Sequence, residues 1–103
     1  MSLRALCVAA SLLGAAKLPA ATFYWDAGSV TVNGASGGGT GTWQVGGAGW
    51  ENGSTALNWA DANDAVFGGT AGTVTLGGNV NATSLSFGVD NYILNAGTGP
   101  FTL

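Results

Sequence analysis

Beyond about residue 21 the apolar positions alternate in short bursts and never recur at the 3.6-residue period of a helix. Phe23-Tyr24-Trp25 opens the series. Ser29-Val30-Thr31-Val32 and Thr42-Trp43-Gln44-Val45 read as strands, the second closed by Gly46-Gly47. The later runs are Ala65-Val66-Phe67, Thr73-Val74-Thr75-Leu76, Ser84-Leu85-Ser86-Phe87, Tyr92-Ile93-Leu94 and Phe101-Thr102-Leu103. In Thr73–Leu76, Val74 and Leu76 fall on one face and Thr73 and Thr75 on the other, the period of a half-buried strand. Gly, Asn or Asp separates successive runs, and the pairs Asn33-Gly34 and Asn52-Gly53 are turn chemistry, because both residue types tolerate positive φ. The pattern predicts an all-β chain with almost no helix.

Corresponding runs recur at 17 to 20 residues, as from Leu85 to Thr102 or from Val66-Phe67 to Leu85-Phe87. That interval suits one turn of a solenoid whose coils stack strand on strand. An antiparallel β-sandwich is the alternative, since strands spaced 8–12 residues apart also fit it.

The first 21 residues differ in kind. Arg4 precedes an apolar stretch, Ala5 to Leu13, and small residues follow at Gly14, Ala15, Ala16, Ala20 and Ala21. A charged start, a short apolar run and a small-residue exit describe a secretory signal peptide, with cleavage expected after Ala16, Ala20 or Ala21. The run falls short of the roughly 20 apolar residues that a membrane span needs. Removing it changes the electrostatics. Arg4 and Lys17 are the only basic residues of a chain of net charge −3, and Cys7 is its only cysteine. From Thr22 onward there is no Lys, Arg, His or Cys. Phosphate neutralisation, and with it nucleic-acid binding, is excluded for this segment. Attachment to anionic lipid is excluded on the same ground. No disulfide framework exists to staple so small an exported domain, so further repeats of the same chain or a partner should complete its core.

Trp59, the string Asp64-Ala65-Val66-Phe67-Gly68-Gly69-Thr70-Ala71-Gly72-Thr73-Val74-Thr75-Leu76, and then Val80-Asn81-Ala82-Thr83-Ser84-Leu85-Ser86-Phe87 resemble the autotransporter-associated β-strand repeat. Thr22 to Asp26, with Trp43, Trp50 and Trp59, resembles the leader that commonly precedes the first such repeat. The resemblance implies a right-handed parallel β-helix in the passenger of a large exported surface protein, at the cell surface, in the outer membrane or extracellular. It divides the chain into a signal peptide (1–21), an aromatic, Gly-rich N-terminal cap (22–59) and an incomplete β-strand repeat (60–103). The repeat has no catalytic residue to carry over. The implied role is structural or adhesive, with host surface or extracellular polysaccharide as partners.

The residues offer little chemistry of their own. Asp61, Asn63 and Asp64 are candidate calcium ligands, as alternating side-chain oxygens suit that ion; a turn in which Asp and Asn cap their own backbone is the competing reading. Glu51 with Asp61 or Asp64 supplies a carboxylate pair of the type that hydrolyses glycosides, but nothing in the spacing builds a cleft around them. They read as solvated loop acids. Without His or Lys, a serine nucleophile has no activating base. The expectation is no catalytic residue, no cofactor and no enzyme. Trp25, Trp43, Trp50 and Trp59 allow two readings: exposed rings that stack on polysaccharide, or a plug over the first apolar layer of a coil stack. The sequons at Asn52-Gly53-Ser54 and Asn81-Ala82-Thr83 carry little weight in Asn-rich turns.

Overall fold

The computed structural model describes residues 20–97; the expected signal peptide and the run Phe101–Leu103 lie wholly or largely outside them. The described chain is all-β, with eight short strands and no helix. These are β1 (Thr22–Trp25), β2 (Gly41–Trp43), β3 (Trp50–Glu51), β4 (Ala56–Leu57), β5 (Asn63–Phe67), β6 (Thr73–Leu76), β7 (Ala82–Phe87) and β8 (Ile93–Asn95). In β1 and β6 every second side chain is buried, the alternation that the sequence predicts.

The strands form two sheets, one in the order β4-β3-β1-β5-β7 and the other β2-β6-β8. Within the first, β1, β5 and β7 run parallel; all of the second is parallel. Only β3 against β1 and β4 against β3 are antiparallel. The sheets are therefore mixed, and the antiparallel sandwich is not the arrangement observed. Parallel neighbours need a crossover between them, and here the chain visits the other sheet in between: β1 leads to β2, β5 to β6, and β7 to β8.

Register lines up like residues. Phe23 faces Ala65, which faces Leu85, and Phe67 faces Phe87. In the second sheet Gly41 faces Val74, which faces Leu94, and Trp43 faces Leu76. The step from β5 to β7 and from β6 to β8 is twenty residues, as in the pairs Ala65–Leu85 and Val74–Leu94. Inward rows from both sheets close one core of Phe23, Trp25, Trp43, Trp50, Trp59, Ala65, Phe67, Val74, Leu76 and Val80. Its filling is mainly aromatic. Trp50 lies 4.8 Å from Trp59, 5.0 Å from Trp25 and 5.5 Å from Trp43 between ring centroids. On the last strands the same inward positions are uncovered: Leu85 is 38%, Phe87 44% and Leu94 38% exposed.

One corner is stacked as tightly as the strands. Single parallel bridges join Asp26 to Gly38 and Gly38 to Thr70. The Ser36 hydroxyl donates to Trp25 O at 2.6 Å and accepts from Gly68 N at 2.9 Å. Gly38 has φ +83° and lies so close to Thr70 O and Gly68 O that no Cβ fits, so two independent reasons require glycine there.

One local expectation is corrected. Ser29–Val32 is not a strand: Thr31 N donates to the Asp26 carboxylate instead of to a ladder. At the expected Asn52-Gly53 turn, β3 and β4 are joined with Asn52 Oδ1 accepting from Ser54 N and Thr55 N, both at 2.9 Å.

Candidate functional site

The four tryptophans are 0–1% exposed, so none offers a free ring face to a sugar. The exposed-platform reading is corrected for a physical reason: in so glycine-rich a chain these four rings supply much of the apolar volume of the one core. Edge-to-face and tilted pairs dominate, with Trp43 on Trp59 at 5.0 Å and 89°. Trp25 Nε1 donates to Gly39 O and Trp59 Nε1 to Asp61 Oδ1, both at 3.0 Å. The Nε1 groups of Trp43 and Trp50 are buried without a protein acceptor, at a cost of roughly 1–3 kcal/mol each.

Asp61 lies in the turn before β5 and Asn63 and Asp64 are the first residues of that strand, each with one side-chain oxygen engaged in a protein hydrogen bond. Asp61 Oδ1 accepts from Trp59 Nε1 and, at 2.8 Å, from Asn81 N. Asn63 Oδ1 accepts from Ala21 N at 2.9 Å, and Nδ2 donates to Ala60 O at 3.0 Å. Asp64 Oδ1 accepts from Ser84 Oγ at 2.8 Å. Ala62, between them, takes φ +68°, the left-handed conformation of a tight turn. These bonds tie β5 to the preceding tryptophan and to the next strand. Among the described residues no group of three or more acidic, His or Cys side chains is placed to hold a metal ion.

The polar residues that organise the N-terminal part are Asp26 and Glu51. Glu51 is fully buried and Asp26 is 3% exposed, so the reading of Glu51 as a solvated acid is corrected. Among the described residues no cation faces them; backbone N–H groups do. Glu51 Oε2 accepts from Asn33 N at 2.7 Å and Gly34 N at 3.0 Å. Asp26 Oδ2 accepts from Thr31 N at 3.0 Å, and its Oδ1 from Gly37 N. Successive N–H groups converging on one oxygen form an anion nest, and charge-assisted bonds of this kind are stronger than neutral ones. Two carboxylates thereby clasp the loop from Ala27 to Thr40 onto the β1–β3 pair. Glu51 Oε1 is buried without a partner. Alternation with the inward Trp50 puts Glu51 on the other face of β3, but nothing in the sequence shows that the Ala27–Thr40 loop covers it there.

Tyr92 donates its hydroxyl to Gly68 O and packs edge-on against Phe67 at 5.6 Å. Burial raises its pKa above the usual value of 10.0, the Asp26 charge adds to the rise, and the Ser36 contact opposes it. A shallow cavity of about 210 Å³ opens over the edge of Trp25 between Gly41 and Gly49 and contains no charged side chain.

No family model and no solved structure matches the chain. It is 36% identical over 95 residues, 85% of its own length, to the adhesin BmaC autotransporter of Brucella suis biovar 1 (strain 1330). The matched stretch is only 3% of that adhesin. Over most of its length this sequence is therefore related to a small part of an autotransporter adhesin.

Proposed function

We propose that the chain is the exported N-terminal segment of an autotransporter-type surface protein, where it starts a parallel β-solenoid and serves a structural, adhesive role. The observation that carries this reading is the course of the chain: three times a strand of the first sheet is followed by a strand of the second (β1–β2, β5–β6, β7–β8), all in parallel register, with only the antiparallel β3–β4 hairpin inserted in the first round. In this reading residues 22–59 are the cap. Their tryptophans fill the first circuit, and the β3–β4 hairpin pairs with the outer edge of β1, where an open edge invites aggregation. Residues from 60 onward are β-strand repeats wound in the right-handed sense usual for parallel crossovers. Further repeats of the same chain cover Leu85, Phe87 and Leu94. Residues 1–21 are the signal peptide. The segment acts without catalysis or cofactor, and its adhesive partners are a host surface or extracellular polysaccharide, met through its polar outer faces. It binds neither nucleic acid nor lipid.

The test is surface exposure in the native cell. Antibodies raised against residues 22–97 should label intact cells, and deleting these residues should reduce adhesion of those cells to host cells or glycan-coated surfaces. Labelling only after lysis would contradict the reading.

A further inference from the structure

The Asn33–Gly34 turn and the buried carboxylate beneath it form a reactive arrangement that a surface role leaves unused. We propose that Asn33–Gly34 is a self-modifying site, with Glu51 as general base for succinimide formation and deamidation of Asn33. Three groups stand in place. Glu51 Oε2 accepts the Gly34 N–H at 3.0 Å, so the base already holds the proton that must leave the nucleophile. Ala35 N donates to Asn33 Oδ1 at 3.0 Å, which polarises the amide carbonyl and stabilises an oxyanion formed there. Gly34 carries no side chain to shield its nitrogen, and Asn33 is solvent-exposed, so ammonia can leave and water can enter. Attack within the same dipeptide has the advantage of an intramolecular reaction.

The proton and the electrons balance as follows. Glu51 Oε2 takes the proton from Gly34 N, whose electron pair forms a bond to Asn33 Cγ. The carbonyl pair moves to Oδ1, held by the Ala35 N–H. As it returns, the Cγ–Nδ2 bond breaks, and Nδ2 leaves as ammonia with the proton from Glu51. Water then opens the five-membered imide at either carbonyl, giving aspartate or isoaspartate at position 33. Either product sets a second carboxylate near Glu51, and the isoaspartyl form also lengthens the backbone, so conversion loosens the clasp on the Ala27–Thr40 loop.

Asn52–Gly53 is an internal reference. Its Oδ1 is also held by backbone N–H groups, from Ser54 and Thr55, but the hydrogen bonds of Glu51 go to Asn33 and Gly34. The purified protein is aged at neutral pH, digested with chymotrypsin, and Asp plus isoAsp is quantified at both sites by mass spectrometry. Asn33 should convert faster than Asn52. Glu51→Gln, which retains an oxygen acceptor but no base, should slow Asn33 at least about tenfold, since a positioned base contributes roughly 10²–10⁴-fold. Conversion of Asn52 should be unchanged. Ageing in urea, which separates Glu51 from the turn, should bring the two rates together whether or not the variant folds well. Three results would overturn the proposal: Asn33 no faster than Asn52 in the folded protein, an Asn33 rate that is unchanged or rises in Glu51→Gln, or a rate ratio that persists in urea.

Discussion

Replacing Trp50 by alanine tests the aromatic core where it is densest. Trp50 is fully buried, and its ring lies within 6.3 Å of Phe23, Trp25, Trp43, Trp59 and Phe67. An aromatic side chain buries roughly 150–250 Å², which at about 25 cal/mol per Å² corresponds to about 4–6 kcal/mol. Alanine keeps a little of that, and removing the unpaired Nε1 relieves part of the cost, so the lower end of the usual 3–5 kcal/mol for Trp→Ala applies, about 3–4 kcal/mol. A domain of this size is stable by only about 4–12 kcal/mol in total. Trp50→Ala should therefore bring the fold to the edge of unfolding, read as a collapse of the urea midpoint by far-ultraviolet circular dichroism. Val45→Ala, at a position 56% exposed, should cost less than about 0.5 kcal/mol. A Trp50→Ala protein within about 1 kcal/mol of the parent would refute the placement of this ring, because no buried tryptophan is removed so cheaply.

Other expectations follow from single contacts. Gly38→Ala should prevent folding or cost several kcal/mol, whereas Gly46→Ala, where φ is +81° but space is open, should cost only about 1 kcal/mol of backbone strain; equilibrium denaturation of both separates crowding from conformation. Asp61→Ala removes acceptors from Trp59 Nε1 and Asn81 N and should destabilise by about 1–3 kcal/mol, while millimolar calcium should leave the parent's melting temperature unchanged. Tyr92 binds its proton more tightly folded than unfolded, so its contribution is complete below pH 10.0 and lost as pH rises through the elevated folded value; Tyr92→Phe should flatten that alkaline fall in stability, and an unchanged profile would remove Tyr92 as its source. Titrating the protein with a panel of glycans should leave tryptophan emission unshifted, because all four indoles are enclosed.

The regular half of the molecule was legible because its signal is local. Thr73–Leu76 alternates strictly and is β6 with the same bounds; the runs at Ala65–Phe67 and Ser84–Phe87 lie inside β5 and β7. The spacing of 17 to 20 residues was close to the observed step of twenty. The first half was less legible because its structure depends on contacts between distant residues. Ser29–Val32 has the composition of a strand, yet its backbone is claimed by Asp26 and its loop by Glu51, eighteen positions beyond Asn33. No local pattern marks an acid as buried when its partners are N–H groups of a remote turn. The tryptophans were ambiguous in sequence for a similar reason: ring count fixes how much apolar surface exists, not which side of the chain covers it.

The central claim is that successive circuits stack in parallel register, and a disulfide reports it most directly. Val66 and Ser86 are paired in β5 and β7 at twenty residues' separation. In a variant carrying Val66→Cys and Ser86→Cys, with Cys7 absent, mild oxidation should crosslink the pair quickly without lowering the urea midpoint. A control with Val66→Cys and Thr75→Cys, on strands of different sheets, should stay reduced. Crosslinking of the control pair in preference to Val66–Ser86, or a crosslink that unfolds the protein, would contradict the stacked-circuit account.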